Sequence, residues 1–403
     1  MKKVNSTEKE LNIKYALLQI MFWTAAASAY AFLTQVLQYK GFNGTEIGIL
    51  NAVKLFSTVV FQVIIGSFSD KYAKKIPLKY IIAFLAVAAC VLTLIFYAVP
   101  LSFLGTVLLF VGFGATFTCI SPLIDALSML YINHGQPVEY VWGRAAGSVA
   151  WAVACVLFGI FCDAFGANHL LLLQMAFIAG IALVAVMMNP IKEIKESKIV
   201  KQQERTVHTT GYLLKNYPKY TWFLIGSAVM FMGYNFGTTF LINVIEELGG
   251  NNTHYGIAEF VMAMSEVPGA YILLKCRNKI SLDKMMICCA FFMMLKNAFA
   301  TYTDSIAVII CSQSCEMLGF GLFYAGSVYV VGDMLPEQDI VKGVSLINAA
   351  TVGLGEGVAA LFCGMIRTEL GLHNLMQVSV IASIASILCM IVMCKLPIKK
   401  KKS

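Results

Sequence analysis

The chain has 403 residues, of which 59% are hydrophobic and 13% are charged, and its formal net charge is +8. A soluble fold cannot bury so much apolar surface, so the composition excludes a soluble enzyme or binding module and predicts an integral membrane protein. The positive charges lie in polar segments between apolar runs, where they set orientation in a membrane and give no support to nucleic-acid binding.

Twelve apolar runs follow one another along the chain, and each is long enough to cross a bilayer as an α-helix. They cover residues 15–38, 46–68, 79–99, 102–130, 138–162, 169–189, 220–246, 255–275, 285–303, 305–333, 342–366 and 373–395. The first run is too long for a signal-peptide core, so we expect it to remain in the mature protein. The cysteines lie in these helices or at their ends without a CxxC pattern, and we interpret them as small apolar packing residues.

One long polar segment, residues 190–218, separates the first six apolar runs from the last six. We therefore predict an all-α membrane protein with two six-helix bundles, 1–189 and 219–403, joined by a cytoplasmic linker. Two repeats of this kind are typical of secondary transporters, which bind their solute at the bundle interface near the middle of the membrane.

Lysine and arginine placement predicts that both termini are cytoplasmic, because inner segments carry most of the positive charge. The inner residues are Lys2, Lys3, Lys9, Lys71, Lys74, Lys75, Lys79, the lysines of 192–215, Lys275, Arg277, Lys279, Lys284 and Lys399 to Lys402. The outer loops carry little beyond Lys40 and Arg367. We expect a multi-pass protein of the cell membrane.

The loop after the second run reads GSFSDKYAKK over residues 66–75. It resembles the loop signature of the major facilitator superfamily, with matches at Gly66, Asp70, Lys71 and Lys75. Alanine replaces the second glycine of that signature at position 73. Gly66 is expected to permit close helix packing, and Asp70 to cap or pair at a helix end. The alternative is a basic inner loop with no further role.

Seven ionisable residues stand out inside the predicted spans, where charge is costly and marks solute pathways or proton relays. They are Lys54, Asp125, Arg144, Glu266, Lys296, Glu316 and Glu356. Three are basic and four acidic, so pairing across helices leaves one carboxylate that can carry a proton. Lys54 and Glu356 either pair with each other or contact the solute, and the sequence leaves both possibilities open.

Arg144 and Trp151 are seven residues apart on the fifth run, so they share one helix face, with the small residues Gly147 and Ser148 between them. The indole offers a flat apolar plate for a sugar ring or a nucleobase, and the guanidinium offers donors for hydroxyl groups. Asp125 on the preceding run is a candidate partner. The pair either joins two helices or contacts a shared solute.

These residues resemble the lactose permease branch, the oligosaccharide:proton symporters. The matching positions are Pro122 and Asp125 on span four, Arg144, Gly147, Ser148 and Trp151 on span five, Glu266 on span eight, and Lys296 on span nine. In that family the span-four acid, the span-five arginine and tryptophan, and the span-eight glutamate hold the sugar. The resemblance therefore implies that Asp125, Arg144, Trp151 and Glu266 bind the solute here.

The coupling residues depart from that family's pattern. Glu316 stands where the family has a histidine, and Gly319 where it has a glutamate. The paired aspartates of span seven appear as Asn235 and Thr238, and their lysine partner falls near Val352. The coupling network is therefore rewired, which leaves both the solute and the choice between H⁺ and Na⁺ open.

Glu316 is the expected proton site, with Lys296 as its electrostatic partner and Glu356 in reserve. The five histidines all fall in loops or at helix ends, which leaves the carboxylates of the spans as proton carriers. A permanent ion pair between Lys296 and Glu316 is the competing interpretation. Further candidates to line the solute cavity are Tyr30, Tyr234, Asn235, Phe236, Phe323 and Tyr324.

The function predicted is a proton-coupled importer of a sugar or oligosaccharide that works by alternating access as a monomer, with no cofactor or metal. A nucleoside:proton symporter is the alternative, because related families also use a span-five arginine and a span-eight glutamate. Proton-driven efflux is less favoured, since span five lacks a strong glycine–proline antiporter motif. No nucleophile elbow, HExxH pattern or Walker loop supports an enzyme.

Overall fold

The computed structural model describes residues 6–72, 75–136, 138–190, 208–276 and 279–397. All of the regular structure in these ranges is helical, which confirms the predicted fold class. Most of the predicted linker, 191–207, lies outside the described residues. So do Lys2, Lys3, Lys74, Arg277 and Lys399 to Lys402.

Two compact units make up the chain. The first contains residues 1–42 and 53–200, and the second contains 43–52 and 201–403. The segment 43–52 thus belongs with the second unit, although the sequence places it in the bundle 1–189. Glycine explains this packing, since a Cβ on Gly48 would lie 2.5 Å from the carbonyl oxygen of Ala360. Only glycine lets the two backbones approach so closely.

In the described part of the chain, the first unit is built from six whole α-helices and the part of α3 that follows residue 52, which pack around buried aromatic rings. They are α1 (Ser6–Ala26), α2 (Leu33–Tyr39), α3 (Gly44–Tyr72), α4 (Leu78–Ala98), α5 (Phe103–Asn133), α6 (Tyr140–Phe165) and α7 (Leu170–Met187). Phe117 stacks between Phe22 and Phe113, with ring centroids 5.1 Å apart in both pairs. This stack joins α1 to α5 and so fixes the helices that carry the polar residues of the unit.

The second unit contains ten α-helices, several of them short pieces of one span. They are α8 (Thr210–Asn216), α9 (Pro218–Thr238), α10 (Leu241–Glu247), α11 (Asn252–Cys276), α12 (Leu282–Tyr302), α13 (Ile306–Ser312), α14 (Phe320–Met334), α15 (Ile340–Asn348), α16 (Gly357–Leu370) and α17 (Leu372–Lys395). Its core combines Phe223, Phe231 and Phe323 with the buried Met285 and Met286.

Four predicted spans are interrupted rather than continuous, which corrects the sequence-based prediction. In span seven, α9 ends at Thr238 and α10 begins at Leu241. A π-helical stretch, Ala27–Ala31, ends span one before a bend of 54° into α2. A 3₁₀ turn, Gln313–Met317, and Gly319 divide span ten. A second π-helical stretch, Ala349–Glu356, divides span eleven. Such interruptions are frequent at functional sites, because they turn side chains away from the regular helical face.

The number of spans agrees with prediction when the bent first span is counted once. Eleven helical segments of the described chain are long and apolar enough to cross a membrane, and the bent pair makes twelve. Interruptions leave hydropathy unchanged, so the apolar runs predict the spans but not their breaks.

The crossing of α11 and α14 depends on two glycines. A Cβ on Gly269 would overlap the carbonyl oxygen of Met317, and one on Gly321 would lie 2.7 Å from the carbonyl oxygen of Glu266. The backbone of α11 is therefore in direct contact with the backbone of span ten, both in the 3₁₀ turn and in α14.

We expect Gly269→Ala to destabilise the protein by about 1–3 kcal/mol, because the extra methyl group overpacks this crossing. Thermal unfolding of the purified variant in detergent measures the loss. Gly332→Ala on α14 is the matched control, since its Cβ would meet no atom within 4 Å. Equal melting temperatures for the two variants would contradict the packing assigned to Gly269.

Candidate functional site

A connected set of polar side chains joins α1 to α5 in the first unit. The Gln19 amide donates hydrogen bonds to the Asp125 carboxylate at 3.1 Å and to the Tyr15 hydroxyl at 2.9 Å. The Trp23 indole N–H donates to the Gln19 side-chain oxygen at 3.0 Å. Gln19 thus orients a carboxylate and an indole in one network.

Arg144 lies in the second turn of α6 and stacks its guanidinium on Trp23. Its Cζ is 4.2 Å from the Trp23 ring centroid, and its Nη1 donates to Ser148 Oγ at 3.2 Å. Gly147 permits the stacking, because a Cβ there would overlap the indole. A guanidinium held over a ring keeps its N–H groups pointing outwards in its own plane, where they can donate to hydroxyl oxygens.

Trp151 completes an aromatic group beside Arg144. Its ring meets Trp23 edge-on, with centroids 6.0 Å apart, and lies 6.3 Å from Tyr30. Tyr30 comes from the π-helical stretch of span one, and the Lys54 ammonium lies 4.8 Å from its centroid. Two indoles, a phenol and a guanidinium therefore converge within one unit.

The direct ion pair predicted between Arg144 and Asp125 is not formed within the described residues. Instead, Asp125 accepts from Gln19, and Arg144 stacks on Trp23. The neutral pair Gln19 and Trp23 separates the two charges. That both charged groups contact one solute remains a prediction.

Sequence reasoning missed Gln19 and Trp23, because a search for ionisable residues passes over neutral ones. The signal was nevertheless present. Positions four apart on a helix lie on one face, so an amide and an indole were placed together in an otherwise apolar run.

Lys296 on α12 and Glu316 in the 3₁₀ turn of span ten form a buried ion pair in the second unit. Nζ and Oε1 are 2.5 Å apart, and the residues are 2% and 0% exposed. The Lys296 ammonium also lies 4.9 Å from the Tyr234 ring centroid and 3.7 Å from the Met262 sulfur. The structure brings together the two residues assigned to coupling.

The sequence predicted Glu316 in the middle of a continuous helix, and this prediction is wrong. It belongs to the 3₁₀ turn, and its Oε2 accepts the backbone N–H of Phe320, the first residue of α14, at 3.2 Å. The break leaves this N–H without a helical partner, and the carboxylate supplies one. Glu316 therefore joins Lys296 to the start of α14.

Glu259 on α11 is a buried carboxylate that the sequence analysis did not select. It is 5% exposed, and the Tyr255 hydroxyl one turn earlier donates a hydrogen bond to it. Lys296 and Glu316 lie close enough to act on it electrostatically. The predicted start of span eight at 255 placed Glu259 near the membrane surface, whereas α11 begins at Asn252.

The remaining solute candidates of the second unit have different surroundings. Tyr234 stacks near Phe320 at 5.9 Å, and Phe320 stacks on the exposed Tyr324 at 5.7 Å. Asn235 is buried, and its side-chain oxygen accepts from Thr239 at 3.2 Å. Phe323 is 1% exposed within the hydrophobic core, so the cavity-lining role considered for it is wrong.

The last three candidates, Glu266, Glu356 and Phe236, are buried or half-buried in the second unit. Glu266 is half-buried on α11, and its backbone contacts Gly321 at the α11–α14 crossing. Glu356 is half-buried and ends the π-helical stretch of span eleven. Phe236 on α9 is 4% exposed. No ligand role of these three residues follows from this geometry alone.

The loop signature does not pack as expected. A Cβ on Gly66 would meet no atom within 4 Å, so no close helix contact requires glycine there. Asp70 is exposed in the last turn of α3, without an ion pair among the described residues. Lys71 lies over the Tyr72 ring, and the Lys75 N–H bonds to the Tyr72 carbonyl. Within the part of the chain that the structure describes, Gly66 makes no close helix contact and Asp70 forms no ion pair.

In the described ranges, no three or more His, Cys, Asp or Glu side chains are grouped so as to bind a metal ion together.

Eleven or twelve membrane-crossing helices in two units, with charged groups buried inside them, define a multi-pass secondary transporter of the major facilitator fold. Residues 12–398 match the MFS_1 like family. The chain therefore belongs to this family, which consists of transporters and not of enzymes.

Similar proteins of known structure share the fold. A point mutant of the nucleoside transporter NupG matches 96% of this chain and 100% of its own, with a TM-score of 0.82 and 14% identity. Unmutated NupG gives a TM-score of 0.75 with 16% identity over 98% of this chain and 100% of its own. A bacterial homologue of the iron transporter ferroportin gives 0.70 with 12% identity, covering 96% of this chain and 99% of its own.

A sequence relative is the sucrose permease of Escherichia coli, 28% identical over 150 residues. The match covers 36% of this chain and 35% of the permease, so it spans about a third of either protein. It supports the family and leaves the solute of this chain to be determined.

Proposed function

We propose that the protein is a proton-coupled importer of a sugar or oligosaccharide, which works by alternating access. The observation that carries the proposal is the arrangement around Arg144, where a stacked guanidinium adjoins two indole rings and a bridged carboxylate. Sugars present hydroxyls at their edge and C–H groups on their faces. The guanidinium and Asp125 suit the hydroxyls, and Trp151 suits a C–H face.

Glu266, Tyr234, Asn235 and Tyr324 are the solute-binding candidates of the second unit under this proposal. Glu316 and Lys296 form the coupling pair, with Glu356 in reserve. The proton gradient is the energy source, no cofactor takes part, and the protein acts as a monomer in the cell membrane with both termini cytoplasmic. The partial likeness to sucrose permease agrees with a sugar as solute.

A nucleoside is the second candidate solute. A nucleobase stacks on an indole as readily as a sugar face does, and its ribose offers hydroxyls to the guanidinium. The likeness in fold to NupG agrees with this alternative. Proton-driven efflux is less favoured, because no feature of the described residues supports it.

Uptake into proteoliposomes tests the proposal and separates the two solutes. Labelled disaccharides and nucleosides are offered in parallel, with the outside acidic and the lumen alkaline. Accumulation of a disaccharide above its external concentration, lost on adding a protonophore, is the expected result. Accumulation of nucleosides alone would select the alternative, and uptake that never exceeds equilibration would contradict proton coupling.

Trp151→Ala should weaken solute binding about tenfold, because the stacking plate is lost while the donors of Arg144 remain. Binding of the solute identified above, followed by isothermal titration calorimetry, gives the change in Kd. Trp142→Ala on the same helix is the matched control, since the Trp142 side chain is 74% exposed. Unchanged affinity in Trp151→Ala would remove Trp151 from the site.

A further inference from the structure

Glu259 is a buried carboxylate that has no part in the proposed coupling by Lys296 and Glu316. Lys296 is bonded to Glu316 at 2.5 Å, so the one ammonium of this cluster is already committed. In the described part of the chain, Glu259 forms no ion pair, and the Tyr255 hydroxyl is its hydrogen-bond partner. An ionised carboxylate in such a place would be left without a cation in a low-dielectric surrounding.

Charge balance sets the number of protons in this cluster. Two carboxylates and one ammonium sum to one negative charge when all three are ionised. Binding one proton makes the cluster neutral, and a buried net charge is far more costly than a neutral set. Interacting groups of this kind titrate together, so the proton belongs to the cluster as a whole.

Lys296 lies within reach of a second partner on α11. Its Nζ is 3.7 Å from the sulfur of Met262, which is one turn beyond Glu259 on the same helix. Residues three apart share a helix face. The Lys296 ammonium thus lies beside the face of α11 that also carries Glu259, and a displacement along this face would bring it from Glu316 towards Glu259.

Glu266 and Glu356 also act electrostatically on Tyr234, but both are half-buried, so the charge balance is drawn for the fully buried groups. The phenols and the thiol that face the cluster do not compete for its proton. The Tyr234 ring lies under the Lys296 ammonium, from α9, at 4.9 Å. Tyr255 donates to Glu259 from its own helix. Cys315 precedes Glu316 in the 3₁₀ turn and is half-buried. Phenol and thiol groups release protons at much higher pH than carboxylic acids, so the exchangeable proton resides on a carboxylate.

We propose that Glu259 and Glu316 share one proton and one cation, Lys296. In the arrangement seen here, Lys296 bonds ionised Glu316 and the proton is on Glu259. When the proton passes to Glu316, Lys296 bonds ionised Glu259, and the Phe320 N–H loses its charged acceptor. Proton position is thereby linked to the start of α14. The use of this exchange in transport rests on the proposed function, whereas the sharing itself does not.

Infrared difference spectroscopy tests the sharing without any solute. The probe is the C=O stretching band of a protonated carboxylic acid, recorded on purified full-length protein at pH 7 and compared between wild type and variants. Glu259→Gln leaves Lys296 permanently paired with Glu316, and Glu316→Gln leaves it paired with Glu259. We expect each variant to lose one protonated carboxyl relative to wild type. Lys296→Met removes the cation and should add one.

Two further variants complete the design. Glu369→Gln changes an exposed carboxylate on α16 and should leave the band unaltered. Glu259→Asp keeps a carboxyl group and should keep a band, which covers the case in which Glu259→Gln does not fold. A band retained in Glu316→Gln would overturn the sharing, because Glu259 would then hold its proton regardless of Lys296. A band unchanged in Glu259→Gln would show that Glu259 carries no proton.

Transport measurements separate this inference from the proposed function. If the band is lost in both variants but wild type shows no pH-driven uptake, the shared proton stands and proton coupling fails. If wild type accumulates solute and Glu259→Gln does so equally well, coupling stands and Glu259 has no part in it.

Discussion

Glu316→Gln is expected to abolish accumulation of solute against its gradient while leaving solute exchange across the membrane intact. Only a group that changes its protonation can couple proton entry to solute entry, and the variant leaves Lys296 without the exchange of partners. Uptake driven by a pH difference should fall to the equilibration level. Exchange of labelled for unlabelled solute at equal pH should stay within about twofold of wild type, because the Arg144 region is unchanged.

The same substitution also removes the acceptor of a buried ammonium, which affects stability. Removing one partner of a buried ion pair costs about 3–5 kcal/mol when no replacement is available. Glu259 is such a replacement, so the measured loss should be smaller. The double variant Lys296→Met with Glu316→Gln removes both charges and should regain stability without regaining accumulation.

This double variant distinguishes coupling from a structural role. A permanent ion pair that only holds α12 to span ten would be dispensable once both charges are gone, and accumulation would return with stability. If the double variant, or Glu316→Gln alone, accumulated solute in response to a pH difference, Glu316 would not be the proton-coupling site. Glu356 or Glu266 would then become the candidate proton site.

Arg144→Lys is expected to weaken solute binding by about tenfold to a hundredfold. Lysine keeps the charge but loses the planar fork, and a compact ammonium does not hold the stacked position on Trp23. A hydrogen bond from a charged donor contributes about 1.5–3 kcal/mol, so losing one accounts for this range. Equilibrium binding by titration calorimetry measures the change in Kd.

Arg367→Lys is the matched control for Arg144→Lys. The Arg367 guanidinium also lies over an aromatic ring, 4.6 Å from the centroid of Phe240, but it is in the last turn of α16, where the sequence predicts an outer loop. Its replacement should leave solute affinity within about twofold of wild type. Equal affinity of Arg144→Lys and wild type would remove the arginine from the solute site.

The span pattern was predictable because hydropathy reports burial in lipid directly. The breaks in spans one, ten and eleven were not predictable in this way, since a π-helical stretch or a 3₁₀ turn is as apolar as the helix around it. Glu316 illustrates the consequence. Its residue type and partner Lys296 were predicted, whereas its contact with the Phe320 N–H depends on a break that the sequence pattern does not mark.

The solute site was predictable to the extent that it depends on charge. Arg144 and Asp125 stood out as ionisable residues in apolar runs, but two neutral residues, Gln19 and Trp23, decide their contacts. Opposite charge predicted a direct ion pair between Arg144 and Asp125. In the structure, Arg144 instead lies over Trp23 and Asp125 accepts a hydrogen bond from Gln19. Glu259 was missed for a different reason: it lies near the start of the predicted span 255–275, where a carboxylate is expected at the membrane surface, whereas the structure buries it.

Substrate-induced proton movement in proteoliposomes tests proton symport most directly. A pH-sensitive dye is trapped in the lumen, the pH is equal on both sides, and valinomycin with potassium prevents build-up of a membrane potential. Adding the solute that the uptake assay identifies should acidify the lumen at once, and Glu316→Gln should remove the response. Solute entry without a change in luminal pH, or with alkalinisation, would contradict proton symport.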